Sequence, residues 1–312
     1  MRAFVFPGQG SQAIGMGRAL AEAVPAARAV FEEVDAALGE NLSQLIWEGD
    51  IETLTLTRNA QPALMATSVA AMRALEAEGV SMSDAAFVAG HSLGEYSALA
   101  AAGAISVADT ARLLRIRGDA MQSAVPVGIG AMAAVLGLDL AAVRDVAAEA
   151  AQGEVCQAAN DNDPAQVVVS GHKAAVERAV EIAKAKGAKR ALLLPVSAPF
   201  HSALMAPAAE VMAEALAKVE IKAPAVPLVA NVRAEAVTDP ALIRELLVEQ
   251  VTGSVRWRES VLWMAERGVT EVWEIGAGKA LSGMVRRIAK DVACRNISTP
   301  EEAAEAAASR NA

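Results

Sequence analysis

Aromatic side chains are scarce in this chain of 312 residues: one tyrosine, four tryptophans and five phenylalanines, 3% of the sequence against 54% hydrophobic residues overall. The core must therefore be built from Ala, Val and Leu, which suits helices packed on a buried parallel sheet. Cysteine is nearly absent. Cys156 and Cys294 are the only two and lack metal-ligand spacing, which argues against a disulfide framework and a zinc site. Cys156, in a strand-like stretch, is expected to be plainly buried. Basic charge is in deficit, with a formal net charge of -9, so a general nucleic-acid binder is disfavoured, because neutralising phosphates takes a basic surface. Long apolar runs are missing as well. The opening "MRAFVFPGQG" is too short in apolar residues for a signal peptide, and no stretch of about 18 apolar residues free of charge follows. A cytoplasmic protein with no membrane association is expected.

What is present reads as an α/β enzyme too long for one average domain. "RAFVFPGQGSQ" is a short buried strand, Ala3 to Phe6, breaking into a Pro/Gly loop, and helix-like segments run to about Gly79. A second strand, Ala86 to Ala89, ends at a turn centred on Ser92, and a helix of small residues begins at once. Between residues 128 and 196 the order becomes β-α-β-β-α-β, the ferredoxin-like signature. The expected fold is therefore α/β: an α/β-hydrolase-like large domain with a parallel sheet over residues 1–127 and 197–312, interrupted by a ferredoxin-like subdomain over 128–196. Further strands are read in "VPLVANV" and "EVWEIG". The Ala/Glu-rich tail beyond Pro300 is expected to be frayed or weakly helical.

The stretch "GHSLG" carries G-x-S-x-G between a strand and a helix, the pattern of a nucleophile elbow. Gly90 and Gly94 permit the bend, Ser92 presents its hydroxyl, and the helix start supplies unpaired N–H groups for an oxyanion. A serine nucleophile needs a base, and only three histidines exist. His91 adjoins Ser92 and should point elsewhere; His172 opens a helix in the inserted subdomain; His201 lies at a strand end in "PVSAPFHSALM" and is the candidate. An orienting carboxylate is not evident. Asp161, Asp163, Asp239 and Glu249 are possible, and so is a Ser-His dyad whose second ring nitrogen meets a carbonyl. Near the C-terminus "GAGKALSG" imitates a dinucleotide fingerprint, but Leu281 occupies the third glycine position, so a strand-to-helix turn is the better reading.

Seven spaced stretches, "FVFPGQGSQAIGMG", "NAQPALMATSVA", "GHSLGEYSALAAAG", "RLLRIRGDAMQ", "ANDNDPAQVVVSGHKAAVE", "KRALLLPVSAPFHSALM" and "EIGAGKALSGM", resemble, in order, the malonyl-CoA:acyl carrier protein transacylases, and the similarity spans about residues 3 to 290. The resemblance implies that Ser92 becomes acylated and His201 is its base. It implies that Arg117, which the residues alone do not separate from Arg112 and Arg115, pairs with the free carboxylate of the malonyl group, a match that suits a two-pronged guanidinium. It further implies an oxyanion hole from the backbone N–H groups of Gln9 and Leu93, and a Gln250 carbonyl that orients the histidine. His91, Gln61, Asn160, Asn162 and Gln166 are expected to line or support the cleft. Phe200, where some relatives carry serine, accompanies malonyl rather than methylmalonyl selection in related acyltransferase domains. Where many relatives read Asn-Pro after the equivalent of Gln250, this chain has Gly253 and Ser254.

The expected reaction moves malonyl from malonyl-CoA to Ser92 and then to the phosphopantetheine thiol of acyl carrier protein, by ping-pong kinetics, supplying fatty-acid synthesis. No metal and no bound cofactor are expected; the protein is expected to be a monomer. Carrier proteins are acidic, so their docking surface should be locally basic. Lys184, Lys186, Lys189 and Arg190 form one cluster, Arg286, Arg287 and Lys290 another, with Lys189, Arg190, Arg286 and Arg287 as the candidate contacts. The rival readings are a serine hydrolase, in which Arg117 has no necessary task, and an interaction module built on a decayed acyltransferase.

Overall fold

A computed structural model describes residues 1–196 and 198–310. Ser197, at the expected domain boundary, and residues 311–312 lie outside the described residues. The first segment runs β1 (Arg2–Phe6), α1 (Arg18–Ala23), α2 (Pro25–Leu38), α3 (Leu42–Glu48), α4 (Ile51–Thr55), α5 (Thr57–Ala77), β2 (Phe87–Gly90), α6 (Leu93–Ala101) and α7 (Val107–Ser123). The middle segment is β3 (Gly130–Leu136), α8 (Leu140–Ala151), β4 (Cys156–Asp163), β5 (Gln166–His172), α9 (Lys173–Ala185) and β6 (Arg190–Leu193). The last is α10 (Ala206–Leu216), β7 (Leu228–Val229), β8 (Ala236–Val237), α11 (Pro240–Thr252), α12 (Trp257–Glu266), β9 (Glu271–Ile275), α13 (Ala280–Ile288), β10 (Ala293–Ile297) and α14 (Pro300–Ala308).

The larger sheet has the order β10-β9-β1-β2-β7-β8 and is parallel except for the β7–β8 pair. Its central strand is buried on both faces because successive side chains alternate. Phe4 and Phe6 pack into the core formed with α2, α5, α6 and α7, while Ala3 and Val5 face Trp257, Val261 and Leu281 of α12 and α13. Register pairs Phe6 with Gly90, so the loops that follow β1 and β2 leave the same carboxyl edge side by side. In parallel α/β sheets that edge is where ligands bind.

The smaller sheet is antiparallel, in the order β4-β5-β3-β6. Ala133, Val135, Val167 and Val169 lie under α8 and α9, and the alternate residues Met132 and Val168 turn the other way, toward Leu194, Val196 and Phe200. The two sheets are tied together where Val255 N–H donates to Ala159 O (2.9 Å) and Asp161 N–H donates to Val255 O (2.9 Å). Arg258 of α12 pairs with the buried Asp161, and Arg287 of α13 with the buried Asp163. The loop carrying Gly253 and Ser254 is thus anchored at Val255.

Four elements differ from the sequence reading. β8 and β10 add strands that the pattern did not announce, and "VPLVANV" contributes only the two residues Leu228–Val229. The tail is not frayed. Thr299 caps α14 through the Glu302 N–H, Pro300 opens it, and Ala303 and Ala306 are fully buried in the large core. Small side chains let this helix approach α5 closely, which composition alone does not reveal. Among the described residues no helix is long and apolar enough to cross a membrane.

Candidate active site

Ser92 sits between β2 and α6 with φ 54° and ψ −109°, a strained conformation for a non-glycine residue. The flanking glycines make it attainable. A Cβ on Gly90 would overlap the Gly94 carbonyl and lie 2.5 Å from Glu95 N, and one on Gly94 would overlap Phe6 O and lie 2.9 Å from Pro7 O. The turn is held by Asn231, just after β7, which accepts from Ser92 N–H (2.8 Å) and donates to Gly90 O (2.7 Å). As the first residue of α6, Leu93 has an N–H with no acceptor inside the helix.

His201 meets the serine hydroxyl. Its Nε2 is 2.8 Å from Ser92 Oγ and its Nδ1 is 2.8 Å from the Gln250 carbonyl oxygen. A carbonyl only accepts, so Nδ1 carries the hydrogen and Nε2 is left to accept the serine proton. Burial, with the Arg117 cation adding to it, holds the His201 pKa down at about 3. The imidazole is therefore neutral, as a base must be. None of the four candidate carboxylates orients it: Asp161 and Asp163 pair with Arg258 and Arg287, Asp239 caps α11, and the Gln250 carbonyl stands where a Glu249 carboxylate would have to reach.

Of the three arginines on α7, Arg112 pairs with Asp109 at the surface and Arg115 turns to Glu40, Asn59 and the Arg58 carbonyl. Arg117 alone enters the cleft. It is 1% exposed and donates to Gln61 Oε1 (2.7 Å), Gln250 Oε1 (2.8 Å) and Ser92 Oγ (3.1 Å). Its Nε has no partner among the described residues. Gln61 passes the chain on to the Thr57 hydroxyl, which donates to Gln9 Oε1 (2.8 Å), so one hydrogen-bonded line runs from Arg117 to the loop after β1.

The cleft encloses about 380 Å³. Gln9, Gln61, His91, Ser92, Leu93, Arg117, Asn160, Asn162, Gln166, Phe200 and His201 all line it, and Gln250 lies buried behind Arg117. His91 points away from Ser92 Oγ, bonding Asn162 Oδ1 through Nε2 (2.8 Å) and packing against Trp257. Burial lowers its pKa. His172 is remote in role, its Nδ1 accepting the Val155 N–H. Lys189, Arg190, Arg286 and Arg287 are exposed, although Arg287 is already paired with Asp163.

Two participants were missed by sequence reasoning. Asn231 ends an apolar run, and Glu95 is the single charge in the small-residue helix that follows Ser92; that isolated carboxylate was the available signal. Glu95 accepts from Gln250 Nε2 (2.7 Å) and Asn231 N–H (3.2 Å). The whole arrangement can deprotonate a hydroxyl, receive an acyl group and offer a cation beside it.

The acyl transferase domain family matches residues 3–305. The chain is 50% identical over 300 residues to the malonyl CoA-acyl carrier protein transacylase of Bacillus subtilis, covering 96% of this chain and 94% of that one. Among solved structures, the acyl-carrier-protein S-malonyltransferase of Bartonella henselae superposes with a TM-score of 0.98 at 57% identity, covering 100% of this chain and 99% of the other. A malonyl-transacylase in complex with its type II PKS acyl-carrier protein superposes with a TM-score of 0.94 at 43% identity, with 98% of each chain covered.

Proposed function

The chain belongs to the acyl transferase family, and from that premise we propose that it transfers the malonyl group from malonyl-CoA to acyl carrier protein for fatty-acid synthesis. The observation that carries this reading is Arg117 Nη2 at 3.1 Å from Ser92 Oγ: an acyl group on that serine has a fixed cation within reach, the complement of a short chain ending in a carboxylate. The names of the relatives support the same reaction.

Ser92 gives its proton to His201 Nε2 and attacks the thioester carbon. The N–H groups of Gln9 and Leu93 stabilise the oxyanion. The carbon–sulfur bond breaks, coenzyme A takes the proton from His201, and malonyl-Ser92 remains with its carboxylate on Arg117. The phosphopantetheine thiol then loses its proton to His201 and attacks the acyl-serine; the Ser92 Oγ–acyl bond breaks, Ser92 takes the proton back from His201, and the malonyl group leaves as a thioester of the carrier, so that two half-reactions at one site give ping-pong kinetics. No step calls on a cofactor. Phe200, on the cleft wall, opposes an α-methyl substituent. The solved complex of a related transacylase with its carrier protein supports acyl carrier protein as the partner; its docking surface is read at the exposed basic residues Lys189, Arg190, Arg286 and Arg287. The strand orders support a further division: a hydrolase-like domain over 1–127 and 197–312 with an inserted ferredoxin-like subdomain over 128–196.

Intact mass after mixing with malonyl-CoA tests the reaction. Wild type should carry a malonyl adduct that Ser92→Ala lacks and that moves to added holo acyl carrier protein. An adduct lost to water with none reaching the carrier would make the protein a hydrolase, and no adduct under rapid quenching would remove the serine chemistry altogether.

A further inference from the structure

Glu95 is 1% exposed, and a carboxylate that deep needs a cation or full hydrogen bonding. It forms no salt bridge among the described residues. Both of its hydrogen bonds, from Gln250 Nε2 and Asn231 N–H, fall on Oε2. Among the described residues the only cation near it is Arg117, reached through one amide: Gln250 donates to Glu95 with Nε2 and accepts from Arg117 with Oε1. Glu95 and Arg117 are thus two opposite charges buried close together. Seating a substrate carboxylate on Arg117 brings in a second anion, and one cation cannot balance two anions cheaply where the dielectric is low.

We propose that Glu95 is a proton-linked counter-ion for Arg117: a carboxylate in the free protein, it takes up one proton from solvent when the malonyl carboxylate seats on Arg117, and returns it when malonyl leaves for the carrier. The inference rests on the reading that Arg117 holds the substrate carboxylate. The proton goes to Oε1, so Oε2 keeps both bonds and the Gln250 amide keeps its orientation. Glu95 is a positioning residue, acting on substrate only through Gln250 and Arg117.

The surroundings favour this exchange. Burial already pushes the Glu95 pKa up to about 7, against the bonds from Gln250 and Asn231 and the charge of Arg117. Neutralising Arg117 removes the last of these restraints and moves the group further up. Among the described residues no other charge faces it: His201 is neutral, and the other arginines of α7 turn outward, Arg112 to Asp109 and Arg115 to Glu40. The phenol of Tyr96 on the same helix stays protonated, with burial pushing it up to about 12; α11 presents the neutral Gln250 and the turn after β7 the neutral Asn231. The titratable residues of α5 are engaged in partly exposed pairs, Arg58 with Asp119 and Arg73 with Glu76, and β1 and β2 face α6 with apolar residues. Acetyl-CoA, which lacks the carboxylate, should leave Glu95 unchanged.

Calorimetry of Ser92→Ala protein with malonyl-CoA, in buffers of different ionisation enthalpy, counts the proton. With a starting pKa of about 7, uptake should be about half a proton at pH 7 and approach one at pH 8, with none for acetyl-CoA, which shares every coenzyme A ionisation. In wild type the KM for malonyl-CoA should rise above pH 7 by up to about tenfold per unit, and Glu95→Gln should flatten that slope. Equal proton counts for the two thioesters, or a slope that survives in Glu95→Gln, would overturn the inference. Should Glu95→Gln fail to fold, the proton count and the wild-type slope decide alone. If Arg117→Ala leaves the preference for malonyl over acetyl intact, the anchor reading has failed; if the preference collapses but no proton is counted, only the role of Glu95 has.

Discussion

Gly8→Ala tests the oxyanion hole without touching a reacting group. A Cβ at position 8 would lie 2.6 Å from the His91 carbonyl oxygen and 3.2 Å from His91 Nδ1. An ordinary carbon–oxygen contact is about 3.4 Å, so the loop must withdraw by roughly 0.8 Å. The obstacle is backbone next to Ser92, itself pinned by Asn231, and cannot turn aside as a side chain would. The Gln9 N–H, one residue along, withdraws with it, and a hydrogen bond of about 2.9 Å becomes one of about 3.7 Å, beyond useful range. Losing one oxyanion donor costs about 100- to 1,000-fold in rate, while overpacking removes about 1–3 kcal/mol of stability. Single-turnover acylation by malonyl-CoA, followed by quenched intact mass, measures the rate directly. Gly283→Ala is the control: its Cβ meets only Arg287 Nη1, at 3.7 Å, and on α13 it should stabilise by up to about 1 kcal/mol. Acylation by Gly8→Ala within about threefold of wild type would refute the assignment of Gln9.

Arg117→Ala should lower kcat/KM for malonyl-CoA by at least about 100-fold, two charge-assisted hydrogen bonds at about 1.5–3 kcal/mol each, and that for acetyl-CoA by less than about tenfold; equal losses would remove the carboxylate anchor. His201, held at about 3 by burial and the Arg117 charge, refuses a proton that the unfolded chain accepts below pH 6.5. Stability from this group is therefore complete above pH 6.5 and declines as pH falls toward 3, by up to about 1.4 kcal/mol per unit; urea midpoints of His201→Gln should lack that component, and an unchanged acid slope would contradict it. Ala306→Asp places an unpaired charge in the core and should cost about 3 kcal/mol or more, seen as a lower Tm, whereas a change under about 0.5 kcal/mol would mean that α14 does not dock.

The nucleophile was legible because its geometry is local. Gly90, Ser92 and Gly94 must be close in sequence to make one bend, and the apolar runs on either side announce the strand and helix that the bend joins. The β-α-β-β-α-β order was legible for the same reason, each element carrying its own periodicity. The base was reached by elimination among three histidines, and Arg117 could be told from Arg112 and Arg115 only by resemblance, since all three lie on one polar helix. β8 escaped because two-residue strands carry no period, and the docking of α14 because burial of alanine leaves no mark in composition.

By itself, then, the sequence determined what neighbouring residues settle among themselves: the elbow, the alternation that buries β1 on both faces, and the small-residue helix behind Ser92. Tertiary structure alone decided how residues far apart in the chain share one pocket: the Gln250 side-chain amide bridging Glu95 and Arg117, and Asn231 pinning the turn at Ser92. A side-chain amide reads as an ordinary polar residue until the fold has removed water from around it. Only then does each of its hydrogen bonds fix the charge and direction of the group it touches.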